Sequence, residues 1–324
     1  MKKNTGCKFV RAICLLAASF CVAPSFAKYP EKQVTIVVPY PPGGVTDVYG
    51  RALAQRLSQI WGQPVVVDNK PGGGTVIGTQ LVSRASADGY TLLLTSYGYT
   101  SNPVLKKSLP YDPKALSPLY LLGTSANMLV INPNLSVKTL GDVIALGKEK
   151  PGALTFGSSG NASSPHIAAE LFAMEAGVKM THIPYKGTGP AMNDLLGGQI
   201  MGIFDGPSAM PRVRAGQLHA VAIASAQRHP AALEVPTFRE LGIDLVFGSW
   251  FGFFVPTGTL GSVQKTIIEG IELALKDPAV ISAIEKTGLT YANLKQQEYQ
   301  KFLDAEEGRL RRLIKADGAS IQLE

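Results

Sequence analysis

Glycine, serine and threonine are concentrated in five segments that each follow an apolar, strand-like run. The segments are 40–47, 69–75, 96–102, 158–164 and 186–189. Backbone N–H groups in such turns, and at the start of a helix that follows, bind carboxylates and phosphates. One such segment is usually only a tight turn with a helix cap. Because the carboxyl ends of strands in an open α/β sheet share one edge, the five together predict a site for an anion.

The glycine-rich segments do not fit the nucleotide-binding motifs. The sequence GGVTDVYG at 43–50 lacks the Lys-Ser/Thr end of a P-loop, and GGGTVIG at 72–78 is one residue too long for the dinucleotide fingerprint. Asp47, within the first of these, would lie awkwardly beside a polyphosphate. In the first turn of a helix it favours the helix dipole, and it could alternatively hold a water that bridges to a ligand.

Side chains that could support catalysis do not form a recognisable motif. In GSSGN at 157–161, Gly160 comes one residue too early for the G-x-S-x-G nucleophile elbow. His166 and Glu170 are four residues apart on a predicted helix, but two groups without a cysteine do not make a metal site. His182 lies in the strand-like THIPY and is expected to face the core or a loop. We therefore expect a binding protein with no enzyme activity, cofactor or metal; a hydrolase is the remote alternative.

The N-terminus has the features of a secretory signal peptide. Four basic residues precede a short apolar stretch, and SFA ends at Ala27 with small residues at both cleavage-determining positions. Cleavage after Ala27 leaves 324 − 27 = 297 residues, removes all three cysteines and lowers the formal charge from +7 to 7 − 4 = +3. Without a run of Lys or Arg, a nucleic-acid-binding function loses its main support, and no nucleic-acid partner is expected. A lipoprotein acylated at Cys21 is the rival interpretation, and Phe20 before it is unfavourable.

Beyond residue 27, strand-like and helix-like segments alternate along the chain. This pattern predicts the α/β class, with parallel sheets and helices on both faces. Two longer strands, near 120–133 and 245–256, are where we expect the chain to cross between two lobes. Helices fill the C-terminus and are expected to return to the first lobe.

Several longer motifs occur together in the order and spacing of one protein family. They are PxxPGGxxD at 39–47, GQPVVVDNKPGGGTVIG at 62–78, ADGYTLLL at 87–94, LPYDP at 109–113, LTFGSSGNASSPHIAAELF at 154–172, HIPYKGTGPAMNDLLGGQI at 182–200 and WFGFFVPTGT at 250–259. Each motif is modestly specific, whereas the ordered set covers nearly the whole chain after residue 27. It resembles the substrate-binding proteins of tripartite tricarboxylate transporters, the Bug or TctC family.

The resemblance implies a periplasmic protein with the type II periplasmic-binding-protein fold, in which two Rossmann-like lobes are joined by crossing strands. The lobes would comprise 28–124 with 250–324, and 125–249. The protein, expected to be a monomer, would close on a small organic acid, such as an aromatic or aliphatic dicarboxylate. It would deliver this acid to a tripartite tricarboxylate-type permease. Delivery of the loaded form to a sensor protein is the alternative.

The resemblance also implies that the ligand carboxylate is held by backbone amides, hydroxyls and water, largely without a salt bridge to Arg or Lys. The first lobe would contribute Tyr40, Pro42, Gly43, Gly44, Asp47 and Ser96. The second lobe would contribute Ser158, Ser159, Asn161, Ser163, His166, Lys186, Gly187, Thr188 and Asp205.

Tyr97 and Tyr99 stand where small or aliphatic residues are more usual in the family. Two interpretations are open. Either the tyrosines belong to the surface or the core, or one of them lines the cleft and stacks on a ring of the ligand. The second interpretation predicts an aromatic carboxylate, such as a phthalate-type diacid, rather than a citrate-like acid.

Overall fold

A computed structural model of the chain describes residues 29–317. The expected signal peptide and the rival acylation site at Cys21 lie outside these residues. The strands, in chain order, are β1 Val34–Val38, β2 Val65–Asn69, β3 Thr91–Ser96, β4 Leu116–Ala126, β5 Met128–Ile131, β6 Leu154–Ser158, β7 Met180–Pro184, β8 Gly202–Asp205, β9 His219–Ile223, β10 Gly248–Pro256 and β11 Thr290–Lys295. The helices are α1 Val45–Trp61, α2 Val76–Ser83, α3 Gly98–Leu105, α4 Leu140–Glu149, α5 Ser164–Ala176, α6 Thr188–Leu196, α7 Met210–Arg214, α8 Gly261–Ala274, α9 Pro278–Glu285 and α10 Gln296–Asp317.

The strands form two separate sheets. The first sheet has six strands in the order β11-β4-β10-β3-β1-β2, and the second has five in the order β7-β6-β8-β5-β9. β1 is built from β-branched residues and lies between two parallel neighbours, so a nearly continuous apolar sequence suits it. Helices α8 and α9 pack on α1, and α10 packs on β4 and α3. The expected α/β class is confirmed.

Two connections join the sheets. β4 ends at Ala126 and β5 begins at Met128, so the chain changes sheet at Asn127. It returns between β9 and β10, and the two connections are hydrogen-bonded to each other. The Asn127 N–H donates to the Phe247 carbonyl at 3.0 Å, and the Ala224 N–H donates to the Asn127 carbonyl at 2.7 Å. The expected long strand at 120–133 is therefore two strands that belong to different sheets.

Three local expectations differ from the structure. The sheets are mixed rather than parallel, because the connecting strands β4, β5 and β10 insert in the antiparallel sense. Helix α3 occupies most of the segment 96–102 that the sequence indicates as a loop, and β11 was not predicted. No helix among residues 29–317 has the length and apolar character needed to cross a membrane.

Candidate functional site

A cavity of about 80 Å³, here called the inner cavity, lies between the two sheets. It is bordered by the loops that follow β1, β3, β6, β7 and β8. Ten of the residues expected from the sequence line it: Tyr40, Pro42, Gly44, Ser96, Tyr97, Ser159, Ser163, Gly187, Thr188 and Asp205. Residues from both sheets therefore meet at the edge where open α/β sheets bind ligands.

Four helices begin at the inner cavity. The residues that precede their first turns all line it: Gly44 before α1, Tyr97 before α3, Ser163 before α5 and Gly187 before α6. None of these four residues caps its own helix with a side-chain hydrogen bond. Side chains cap α4 and α9, away from the cavity, whereas α2, α7 and α8 also begin without a side-chain cap. At the cavity, the Thr100 N–H of α3 donates to the Tyr97 carbonyl at 3.1 Å, and the first-turn amides of α1, α5 and α6 have no side-chain cap as acceptor.

The inner cavity has a positive character that does not come from cationic side chains. Among residues 29–317, no Lys or Arg lines it. Each helix N-terminus carries roughly half a positive charge from its aligned peptide dipoles. Four such ends around one small cavity favour an anion.

Asp47 fixes the loop between β1 and α1. Its carboxylate accepts hydrogen bonds from the Gly43 N–H, the Arg51 Nε and the Asn69 Nδ2, each at 2.9 Å. The Asn69 amide also donates to the Tyr40 carbonyl at 3.0 Å. Burial raises the pKa of Asp47, but the hydrogen bonds from Arg51, Gly43 and Asn69 outweigh it and lower that pKa below its usual value. Asp47 stays ionised and holds the loop, and neither it nor Gly43 lines the inner cavity.

Two histidines hold the loop between β6 and α5. The His182 Nε2 lies 2.6 Å from the Ser158 Oγ, which donates to the Gly160 carbonyl at 3.1 Å. The Ala162 N–H donates to the His166 Nδ1 at 3.2 Å. Ser158 and His166 are buried beneath the loop and do not reach the inner cavity. Which atom donates in the hydrogen bond between His182 and Ser158 depends on the tautomer of His182.

Ser163 presents an unpartnered hydroxyl at the start of α5. The residue is 8% exposed, and its Oγ has no hydrogen-bond partner among residues 29–317. A buried hydroxyl without a partner is costly, and a ligand oxygen would satisfy it.

Asp205 is the only acidic residue from the described range that lines the inner cavity. It is 9% exposed at the end of β8. Burial raises its pKa to about 6, against the opposing effects of the Gly206 N–H and the Arg212 charge. Asp205 therefore exchanges its proton near neutral pH.

Four lining residues with polar side chains lie outside the five segments that the sequence singled out: Ser125, Asn127, Ser208 and Ser249. Three of them belong to the connections between the sheets, where they interrupt otherwise apolar strands. Ser249 Oγ lies 2.5 Å from Ser96 Oγ, and Asn127 accepts a hydrogen bond from Ser164 at 2.6 Å. In the sequence, three of these positions can be recognised only as isolated polar residues within the apolar runs GTSANMLV and FGSWFGF.

The structure does not support ligand stacking on the two tyrosines. Tyr97 is 1% exposed, and its ring packs edge-on to Phe247 with centroids 5.1 Å apart. Tyr99 does not line the inner cavity; its ring packs on Phe254 at 4.1 Å and its hydroxyl donates to the Pro113 carbonyl. Both side chains belong to the core because α3, rather than a loop, carries them.

The two remaining expected residues, Asn161 and Lys186, line a second cavity. This outer cavity, of about 260 Å³, shares Tyr40 and Ser159 with the inner one. Around both cavities the loops of the two sheets touch. A Cβ atom on Gly187 would lie 2.7 Å from the Pro41 Cδ, and Ser101 donates to the Ala162 carbonyl. The inner cavity thus lies between the two sheets, beside points where their loops are in contact.

Comparisons with known proteins agree with this architecture. Residues 49–319 match the tripartite tricarboxylate transporter family receptors (TctC). The chain is 36% identical over 321 residues to protein BugT of Bordetella pertussis, with 97% of this chain and 98% of BugT covered. The periplasmic binding protein BugD is 29% identical with a TM-score of 0.85, over 90% of this chain and 99% of BugD.

A third similar protein is Rpa4515 of R. palustris, whose structure was solved with adipate. It is 30% identical with a TM-score of 0.85, over 90% of this chain and 98% of Rpa4515. The architecture is the type II periplasmic-binding-protein fold. The two sheets correspond to its two lobes, the crossing connections to its hinge and the inner cavity to its cleft. The chain belongs to the Bug, or TctC, family of periplasmic solute-binding receptors.

Proposed function

We propose that this protein binds a small aliphatic carboxylate in the inner cavity and delivers it to a permease of the tripartite tricarboxylate type. The observation that supports this most is the convergence of four uncapped helix N-termini on a cavity without Lys or Arg. A phosphate or carboxylate suits such an arrangement. The Rpa4515 structure with adipate favours the carboxylate.

The packing of Tyr97 and Tyr99 bears on the class of acid. Both rings are packed against other aromatic side chains in the core, so neither offers a free face on which a ligand ring could stack. The aromatic diacid predicted from the tyrosines is therefore the weaker candidate.

Closure of the lobes would convert these amides into a strong site. A hydrogen bond to a charged group contributes about 1.5–3 kcal/mol when water is excluded. A few such bonds, offset by the cost of closing and ordering, suffice for micromolar affinity. We place the hinge at Asn127 and between residues 224 and 248, where the chain changes sheet. The position of these two connections supports the predicted lobes, 28–124 with 250–324, and 125–249.

Isothermal titration with matched acids and amides tests the binding. The α,ω-diacids from succinate to pimelate, together with citrate and phthalate, should include at least one ligand with a micromolar or lower Kd. The diamide of that ligand should bind at least 100-fold more weakly. Equal binding of acid and diamide, or no binding of any acid, would refute the proposal.

Uptake measurements test the delivery. Deletion of the gene should abolish high-affinity uptake of the identified acid, and restoration of the gene should return it. Unchanged uptake would instead indicate a sensory role for the loaded protein.

A further inference from the structure

The outer cavity differs from the inner cavity in charge. Its lining includes Lys106 and Lys186 and no Asp or Glu from the described residues. Neither lysine forms an ion pair with an acidic side chain within residues 29–317. The inner cavity therefore has amides without cations, while the adjacent outer cavity has cations without a partner.

The two lysines come from opposite lobes. Lys106 follows the last turn of α3 in the first lobe, and Lys186 follows β7 in the second. An anion between them would attract both lobes at once. Its binding would therefore favour the closed arrangement, in addition to the direct attraction to each ammonium group.

The outer cavity exists because the lobes approach closely beside it. A Cβ atom on Gly74 would lie 2.7 Å from the Asn161 carbonyl oxygen of the other lobe, and Gly74 has a φ of +64°. Both cavities have Tyr40 and Ser159 in their walls, so the two cavities are adjacent.

We propose that the outer cavity is a second anion subsite, which receives the distal acid group of a ligand whose first carboxylate lies in the inner cavity. This inference rests on the proposed carboxylate binding. It identifies the ligand class as a linear dianion and assigns the recognition of its distal charge to Lys106 and Lys186. A monoacid of the same length would leave the two ammonium groups unpartnered.

Titration of matched diacids and monoacids into the full protein and three variants tests the subsite. The best-bound α,ω-diacid should bind at least tenfold more tightly than the monoacid with the same number of carbons. Lys106→Met and Lys186→Met should each weaken diacid binding by about two- to fivefold, as expected for a partly exposed ion pair. Both should leave monoacid binding unchanged. Lys107→Met changes an exposed neighbour that does not line the cavity and should have no effect.

Three results would overturn the inference. The diacid and the monoacid could bind equally, the lysine variants could leave diacid binding unchanged, or they could weaken both ligands to the same extent. In each case carboxylates still bind, so the proposed function stands. If no acid binds the unmodified protein, the proposed function fails as well. Unchanged melting temperatures of the variants would show that their folds are intact.

Discussion

The imidazole rings of His166 and His182 stack face to face, with their centroids 3.8 Å apart and their planes inclined by 12°. One ring accepts from the Ala162 N–H and the other contacts the Ser158 hydroxyl, so the pair holds both ends of the loop that presents Ser159 to the inner cavity. Neither histidine lines the inner cavity, so we expect both to act through this loop. They are positioning residues of the site.

Replacement of His182 should impair binding through the loop. His182→Leu removes the hydrogen bond to Ser158 and should weaken ligand binding about two- to tenfold, because one buried hydrogen bond contributes about 0.5–1.5 kcal/mol. His182→Gln keeps an N–H donor and should recover most of the affinity. Titration calorimetry checks both variants. Equal losses in the two variants would contradict a role for the hydrogen bond.

The same histidine should produce a pH-dependent stability. Burial, and then the neighbouring His166, lower the pKa of His182 to about 4, against the opposing effect of Glu170. Its contribution to the free energy of unfolding is therefore complete above pH 6.5 and lost as the pH falls toward 4. Urea unfolding between pH 4.5 and 7.5 should show this loss in the unmodified protein and a smaller one in His182→Gln. Identical pH profiles would contradict it.

Asp205 should make ligand binding depend on pH. Its ionised form places a negative charge in the cavity that accepts the ligand carboxylate, and its pKa is raised to about 6 by burial. We expect the affinity for the acid to fall as the pH rises through about 6. Asp205→Asn should remove this dependence and bind the acid more tightly than the unmodified protein at pH 7.5, with little difference at pH 5.

Asp205 should also affect stability in the sense opposite to His182. A carboxyl group with a raised pKa binds its proton more tightly in the folded state. Its contribution to stability is present below the unfolded pKa near 4 and lost as the pH rises through about 6.

One binding result would contradict the repulsive role of Asp205. If the unmodified protein bound the acid more tightly than Asp205→Asn at every pH, Asp205 would instead accept a hydrogen bond from the ligand.

Loss of the Asp47 carboxylate should destabilise the protein. Asp47→Ala leaves the Gly43 N–H, the Arg51 guanidinium and the Asn69 amide without their shared acceptor. We expect the free energy of unfolding to fall by about 2–4 kcal/mol, since the buried carboxylate accepts three hydrogen bonds. Asp244→Ala removes an exposed ion pair and should change it by less than about 1 kcal/mol. A comparable effect of the two variants in urea unfolding would contradict the role of Asp47.

Gly187 should be required for closure of the lobes. A Cβ atom at this position would lie 2.7 Å from the Pro41 Cδ across the cleft, and the φ of +142° is unfavourable for other residues. Gly187→Ala should raise the Kd at least tenfold. Gly216→Ala is a matched control because Gly216 also has a positive φ, of +71°, its Cβ atom would have no neighbour within 4 Å, and it does not line the inner cavity.

A second substitution separates the clash from the backbone strain. Pro41→Gly removes the ring that a Cβ atom on Gly187 would meet. Combined with Gly187→Ala, it should recover the part of the affinity that the clash costs. No recovery in the double variant would assign the whole effect to backbone strain, and equal binding by Gly187→Ala and Gly216→Ala would contradict closure at this contact.

Local sequence patterns predict the glycine-rich loops and the α/β class well, because these depend on short-range backbone preferences and on apolar periodicity. The helical state of 98–105 was not predictable in this way, since its stretch of Gly, Tyr, Ser and Asn resembles a loop and Pro103 lies inside it. Packing of Tyr99 on Phe254 and of Tyr97 on Phe247 brings together residues about 150 positions apart. Contacts over that separation stabilise α3, and local propensity does not reveal them.

The connecting strands show the same limit for the site. Asn127 and Ser249 line the inner cavity only because β4 and β10 pair antiparallel in the middle of the first sheet. Their polar side chains within apolar runs were visible in the sequence, but the direction in which they face depends on that pairing.

The most direct test of the account is a crystal structure of the protein with its best-bound diacid. One carboxylate should accept hydrogen bonds from first-turn amides of α1, α5 and α6 and from the Ser163 hydroxyl, with no Lys or Arg in contact. The distal carboxylate should lie between Lys106 and Lys186. A ligand bound with its apolar chain at the helix N-termini, or with its inner carboxylate paired to a cationic side chain, would contradict the account.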